Sequence, residues 1–186
     1  MVKGAGTWLL LGLFGACLCV LGDHLHATHD VLVYTPVSWW GQAWWVWPEF
    51  IIGTLAAVGT AARFARGLPA PRRRFFADLV FFCGAYAYTS FAPWDRPNVT
   101  TFVLVGAFVV RVLAEDRPAW LVWHSLQLAL VGPLCEAALS WVGTFHYVHP
   151  DIIGVPRWLP GIYLAAGLAS GEMALQMRQS SKAPSA

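Results

Sequence analysis

Charge is scarce in this sequence. Only 12% of its 186 residues are charged, against 58% hydrophobic, whereas a soluble domain carries about 25% charged residues. That leaves too little polar surface to cover a water-soluble globule. The formal net charge of +2 also gives nucleic acid no electrostatic reason to bind. Lysine occurs only as Lys3 and Lys182. No cysteine stands in a polar loop. Cys17, Cys19, Cys83 and Cys135 all fall inside apolar runs, so we read them as small apolar residues and expect no disulfide framework. Gly-x-Ser-x-Gly, a phosphate-binding glycine loop and His-Glu-x-x-His are all missing, and with them any clear nucleophile–base pair. We expect no catalytic residues, no metal site, and no cofactor other than a bound lipid.

What the chain does have is apolar sequence in long blocks. A helix needs roughly 20 mostly apolar residues to cross a bilayer. Six blocks qualify: 4–22, 46–65, 74–92, 98–114, 119–142 and 158–177. The expected fold is an all-α integral membrane protein, a six-transmembrane-helix bundle with both termini cytoplasmic. It forms one domain over residues 1–179, followed by a disordered Ser/Ala/Pro-rich tail, 180–186. The first block follows Met-Val-Lys and lacks a small-x-small cleavage site between Cys17 and Asp23, so we read it as a retained span rather than a signal peptide. Cations set the direction, because Lys and Arg concentrate on the cytoplasmic side. With six spans, Lys3, Arg63, Arg66, Arg72, Arg73, Arg74, Arg111, Arg117, Arg178 and Lys182 share one side, and the other holds only Arg96 and Arg157. The outer loop from Gly22 to Trp45 carries Trp39, Trp40, Trp44 and Trp45, with Trp47 just beyond. Tryptophan favours the headgroup level. We see no internal repeat.

Polar groups inside apolar blocks are the candidate functional residues. Glu136 lies deep in the fifth block, one turn after Gly132-Pro133, and must face the interior, protonated or hydrogen-bonded. His124 and Gln127 form a second polar patch in that block. Asp78, one turn after Arg74, is expected to pair with it, and Arg111 to snorkel to the headgroups. Glu49 is expected to face the dipole at the start of its helix. His24, His26, His29 and Asp30, with His146 or His149, could assemble a zinc site; the spacing matches no specific metal motif, so we read them as interfacial residues with polar tips among headgroups. Asp116 and Arg117 sit in a short polar turn, where Asp116 could cap the next helix or serve a cytoplasmic contact. Small residues in steps of three and four mark helix contacts: Gly53, Ala57 and Ala61; Ala129, Gly132, Glu136 and Ser140; Gly167 and Gly171.

Several segments in order resemble the Insig (insulin-induced gene) family. Ala43-Trp44-Trp45-Val46-Trp47-Pro48 is similar to that family's Ala-Trp-Trp-Val-Pro-Pro element, and Gly53-Thr54-Leu55-Ala56-Ala57-Val58-Gly59 follows at similar spacing. Asp116-Arg117 stands where the family has Asp-Arg-Ser. Tyr147-x-x-Pro150-Asp151 and Arg157-Trp158-Leu159-Pro160 resemble elements before the family's last span, and Gly171 and Gln176 match its terminal Gly and Gln. The resemblance covers roughly residues 40–177. It implies a six-helix, sterol-responsive regulator that binds oxysterols and holds Scap-like, sterol-sensing partners, with Asp116 at the partner contact. Glu49-Phe50 in place of a Cys-Cys pair, Pro118 in place of serine and Leu175 in place of arginine weigh against those partnerships. They point to a short bacterial-type relative.

The expected function is an Insig-like, lipid-binding regulator or scaffold without catalytic activity, and a homo-oligomer. Its ligand would be a sterol or a diacylglycerol-type glycerolipid, held between spans three and five by Phe82, Tyr86, His124, Gln127 and Glu136, with Asp116 and Arg117 binding a partner. The membrane would be the plasma membrane in a bacterium and the endoplasmic reticulum in a eukaryote. The alternatives are a small membrane enzyme with a metal at the outer histidines, and a small-solute transporter using Glu136.

Overall fold

A computed structural model describes residues 4–65, 74–115 and 117–180. Lys3, Arg66, Arg72, Arg73, Asp116, Lys182 and the tail after Ser180 lie outside the described residues. Six helices run through the chain: α1 Ala5–Thr28, α2 Val46–Phe64, α3 Phe75–Phe91, α4 Pro97–Ala114, α5 Ala119–Trp141 and α6 Leu159–Ser180. Each coincides with one apolar block of the sequence. The last helix runs on through Ser180, where the tail was expected to begin. Two short strands, β1 Leu32–Tyr34 and β2 Phe145–Tyr147, pair antiparallel after α1 and α5.

The sixth helix is the centre. It packs against α2, α3, α4 and α5, and Leu164, Ala165, Leu168, Ala169 and Ala174 are all buried. This explains a compositional difference. By length and composition alone, α1 and α4 are apolar enough to cross a membrane, and α3 is a shorter apolar helix. A helix enclosed by its neighbours meets no lipid, so α6 tolerates Ser170 and Glu172, both buried. Close approach comes from small residues. A Cβ on Gly167 would overlap the Ser125 backbone, and one on Gly132 would overlap the Tyr163 ring. The Gly53 stripe behaves differently. Nothing lies near Gly53, and only Ala61 of that stripe is buried.

The structure overturns one sequence reading: there is an internal repeat. The segment α1–β1–α2 recurs as α5–β2–α6 at a constant offset of 113 residues, the difference between Tyr34 and Tyr147. Every positive-φ residue described falls into an equivalent pair: Asp30 and Gly143, Trp40 and Ile153, Gly41 and Gly154. Only the last pair is glycine in both copies. Backbone hydrogen bonds repeat too. Trp39 bridges to Gln42 as Ile152 does to Val155, and Thr35 N–H to Thr144 O (2.9 Å) answers Val148 N–H to Val31 O (3.0 Å). The strand register, Leu32 to Tyr147, Val33 to His146 and Tyr34 to Phe145, is symmetric about the Val33–His146 pair. The paired strands bring the ends of α1 and α5 to the same end of the bundle. The two copies therefore run in the same direction, unlike an inverted repeat.

Charged residues divide between the two ends. Among the described arginines, Arg63, Arg74, Arg111, Arg117 and Arg178 gather at one end, and Arg96 and Arg157 stand at the other. At the first end a buried ion network ties three helices to the turn before α5. Arg117 reaches Asp78 (2.8 Å), Glu172 (3.0 Å) and Glu115. Arg111 reaches Asp78 (2.7 Å) and Glu115 (3.2 Å), and Arg74 reaches Glu115 (3.0 Å). Two expectations are thereby corrected. Asp78 pairs with Arg111 and Arg117 rather than Arg74. Arg111 turns inward, over Phe81 (5.6 Å), because a buried carboxylate holds it more strongly than distant headgroups. Although burial pushes the Glu115 carboxyl up, hydrogen bonds from Arg74 and Arg117 hold it below its usual value.

Candidate functional site

The repeat brings two carboxylates into equivalent places, each five residues before the end of its helix: Asp23 in α1 and Glu136 in α5. Each accepts a hydrogen bond from the tyrosine of the following strand, Tyr34 to Asp23 and Tyr147 to Glu136. A second tyrosine completes each set. Tyr163 donates to Glu136 at 2.5 Å, and Tyr86 lies beside Asp23. Burial, and then the carboxylates alongside, push the Tyr34 and Tyr147 hydroxyls well above their ordinary value, so both remain donors. Glu49, at the start of α2, comes close enough to Glu136 to repel it. It therefore faces the centre of the bundle and makes no side-chain cap on its own helix.

These groups line an internal space. Tyr86, Glu136 and Tyr163 lie deep in the bundle, surrounded by other helices, yet each keeps accessible surface. Cys19 and Glu49 do the same. Aromatic side chains form the walls. Phe82 and Tyr86 meet edge to face at 5.3 Å, His26 lies 5.1 Å from Tyr86, and Trp45, Trp47 and Phe50 pack into the same cluster. Apolar walls with a few placed polar groups are characteristic of a ligand pocket.

The residues expected to bind lipid do not all converge. Phe82, Tyr86 and Glu136 come together at this space. His124 does not. It is buried against α6 with Nε2 on Ser170 Oγ at 3.0 Å, and its twelve-residue separation from Glu136 is about 18 Å along the helix. Gln127 is exposed. The third and fifth spans make little direct contact, and both pack on α6. Arg117 is spent inside the ion network, so the structure gives it a role within the fold; Asp116 lies outside the described residues. Asp23, Tyr34, Tyr147 and Tyr163 escaped the sequence reading. The signal was available: carboxylate and tyrosine stand eleven residues apart in both copies.

The outer histidines separate. His24 bonds the Trp40 carbonyl (3.0 Å) and stacks on the Trp40 ring, His26 bonds Thr89 Oγ1 (2.9 Å), and His29 bonds the Leu25 carbonyl (2.9 Å). Among the described residues no three His, Cys, Asp or Glu side chains converge as metal ligands. Two further clefts exist. One, of about 850 Å³, opens between α1, α3 and α6 and is lined by Leu10, Phe14, Phe75 and Met173. The other, of about 320 Å³, lies among His29, Thr89, Trp94 and His149 at the strand end.

Known proteins resemble this chain in sequence and share its fold. No family model matches the chain. It is 29% identical to an INSIG protein homolog of Mycolicibacterium vanbaalenii, covering 91% of this chain and 87% of the relative. It is 25% identical to the insulin-induced gene 2 protein of Xenopus tropicalis, over 91% and 82%. The crystal structure of the mycobacterial Insig homolog MvINS superposes with a TM-score of 0.78 at 23% identity, covering all of both chains. The chain is similar in sequence to these two Insig proteins and shares the fold of the mycobacterial one. A cross-linked trimer of MvINS has the same fold, again with a TM-score of 0.78. The six helices of this chain thus match those of a six-helix membrane protein.

Proposed function

We propose that this chain is an Insig-family protein, a non-catalytic membrane regulator that holds one lipid, a sterol or a diacylglycerol-type glycerolipid, in the space between its two helix-pair repeats. The observation that carries this reading is that Tyr86, Glu136 and Tyr163 keep accessible surface deep in the bundle, beside aromatic side chains. In a bilayer, hydrocarbon burial discriminates little among lipids, because the competing solvent is also hydrocarbon. Selectivity must come from the polar groups.

Native mass spectra of gently extracted protein are expected to show one bound lipid per chain. Tyr86→Leu should change which lipid is retained, while Gln127→Leu, on the exposed face of α5, should not. Spectra free of any specific lipid, with none photocrosslinked to α1, α3 or α5, would defeat the proposal.

The six helices span the membrane with both termini cytoplasmic. The arginine-rich end supports this, as do Trp39, Trp40, Trp44 and Trp94, exposed at the other end. Single cysteines at Arg72 should therefore be labelled from the cytoplasm, and those at Asp30 or Asp151 from outside. Labelling of both sets from one side would overturn the topology. His26 is a poor site for this test because it is buried. The chain also self-associates. MvINS was crystallised as a cross-linked trimer, and the small residues Gly53, Ala56 and Thr60 leave an accessible face on α2.

A further inference from the structure

The constant offset between the two halves makes Asp23 the counterpart of Glu136. Both carboxylates take the hydroxyl of the strand tyrosine eleven residues on, and a second tyrosine stands by each. They are close enough across the interior to influence one another. Their sequence neighbours share almost nothing: His24 and Leu25 in one copy, Ala137 and Ala138 in the other. The carboxylate and tyrosine are thus retained where the surroundings are not.

The chemistry of these groups restricts what can sit between them. Tyr34, Tyr147 and Tyr163 already donate to the carboxylates. Each carboxyl group keeps oxygen lone pairs free to accept, whether or not it holds a proton. Glu49 adds another acceptor from α2. Among the described residues no counter-charge is present. Every described arginine stands in a connection or in the last turn of a helix, and no cation acts on Glu136 or Glu49. A phosphate or carboxylate headgroup would bring a charge with no counter-ion into this interior.

Resting on the reading of this space as a lipid site, we propose that Asp23 with Tyr34 is a second headgroup-binding station equivalent to Glu136 with Tyr147. The pair selects an uncharged lipid whose polar end carries two hydrogen-bond donors, one for each station. A lipid with one hydroxyl fills one station and leaves the other unused. An anionic phospholipid fills neither.

The test uses the full chain in nanodiscs doped equally with monooleoylglycerol, dioleoylglycerol and dioleoylphosphatidylglycerol, read by native mass spectrometry. The wild type should retain monooleoylglycerol over dioleoylglycerol by about tenfold, as expected for one further buried hydrogen bond, and should exclude the phosphatidylglycerol. Asp23→Asn and Glu136→Gln each place an NH₂ where an acceptor oxygen stood. Each alone should abolish the preference for the two-hydroxyl lipid. Tyr34→Phe and Tyr147→Phe, which keep both carboxylates, should reduce it by similar factors to each other. A wild type that retains lipid but ranks the three equally sinks the two-station proposal and leaves the lipid site standing. So does a preference that only Glu136→Gln disturbs. A wild type that retains no lipid at all sinks both.

Discussion

Replacing Arg117 with methionine is expected to cost about 3–5 kcal/mol of stability, the usual penalty for breaking a buried ion pair from one side. Asp78 and Glu172 are 0% and 1% exposed, and Arg117 is their common partner. Arg111 would still reach Asp78. Glu172 would keep only the Arg74 backbone N–H, at 3.4 Å. A lone carboxylate in a water-poor interior must either be desolvated without compensation or take up a proton, and both are costly. For a chain of this size the loss corresponds to roughly 10 °C in melting temperature. It is readable from tryptophan fluorescence of detergent-solubilised protein. Adding Glu172→Gln to Arg117→Met should recover part of the loss, because the uncompensated charge is gone. A single variant that melts with the wild type would show that the network does not hold the turn before α5. Low pH should act in the same direction through Glu115. Its carboxyl is depressed in the fold, so its contribution is complete above the unfolded value and fades as pH falls through the folded one.

The second large effect is steric. Gly167→Val should lower the yield of folded protein sharply, with a cost at or above the ~1–3 kcal/mol of ordinary overpacking. The obstacle at Gly167 is the Ser125 backbone, which has no rotamer to adopt. Opening the α5–α6 contact would also stretch the His124–Ser170 hydrogen bond (3.0 Å). Gly53→Ala provides the comparison. Space is open there, and alanine favours a helix by about 1 kcal/mol over glycine, so that variant should fold as well as the wild type or better. Size-exclusion profiles of the two variants extracted side by side would decide. Equal monodisperse recovery would mean that α5 and α6 do not depend on close approach.

The helices were readable from the sequence because they stand as apolar runs between polar, arginine-bearing segments, most plainly in α1 and α4. Glu136 was readable too, since a carboxylate that deep in an apolar block needs partners. Its partners were not. Tyr147 reaches it from a strand and Tyr163 from another helix, and neither adjacency is visible in a linear pattern. Asp23 was passed over because it stands beside three histidines that invite a metal reading. The repeat was hidden for a related reason. From Asp23 to Phe50 the copies share identical residues only at Tyr34, Gly41 and Trp45, against Tyr147, Gly154 and Trp158. Asp30 and Gly143, or Trp40 and Ile153, reach the same backbone shape through unlike side chains. Arg117 was misplaced because an arginine in a short polar turn has no visible reason to be buried until Asp78 and Glu172 arrive from other helices.

The enclosure of α6 also sets an order in time. A ribosome makes this helix last, yet it is the one against which α2, α3, α4 and α5 all pack. Until it emerges, Glu136 waits without Tyr163, Arg117 without Glu172, and Gly132 faces an empty groove. Before then α1 can already pack on α2 and α3, while α4 and α5 lack their main partner. The interior is completed in one late step, as a keystone closes an arch, and the two halves of the internal space are brought together at the same moment.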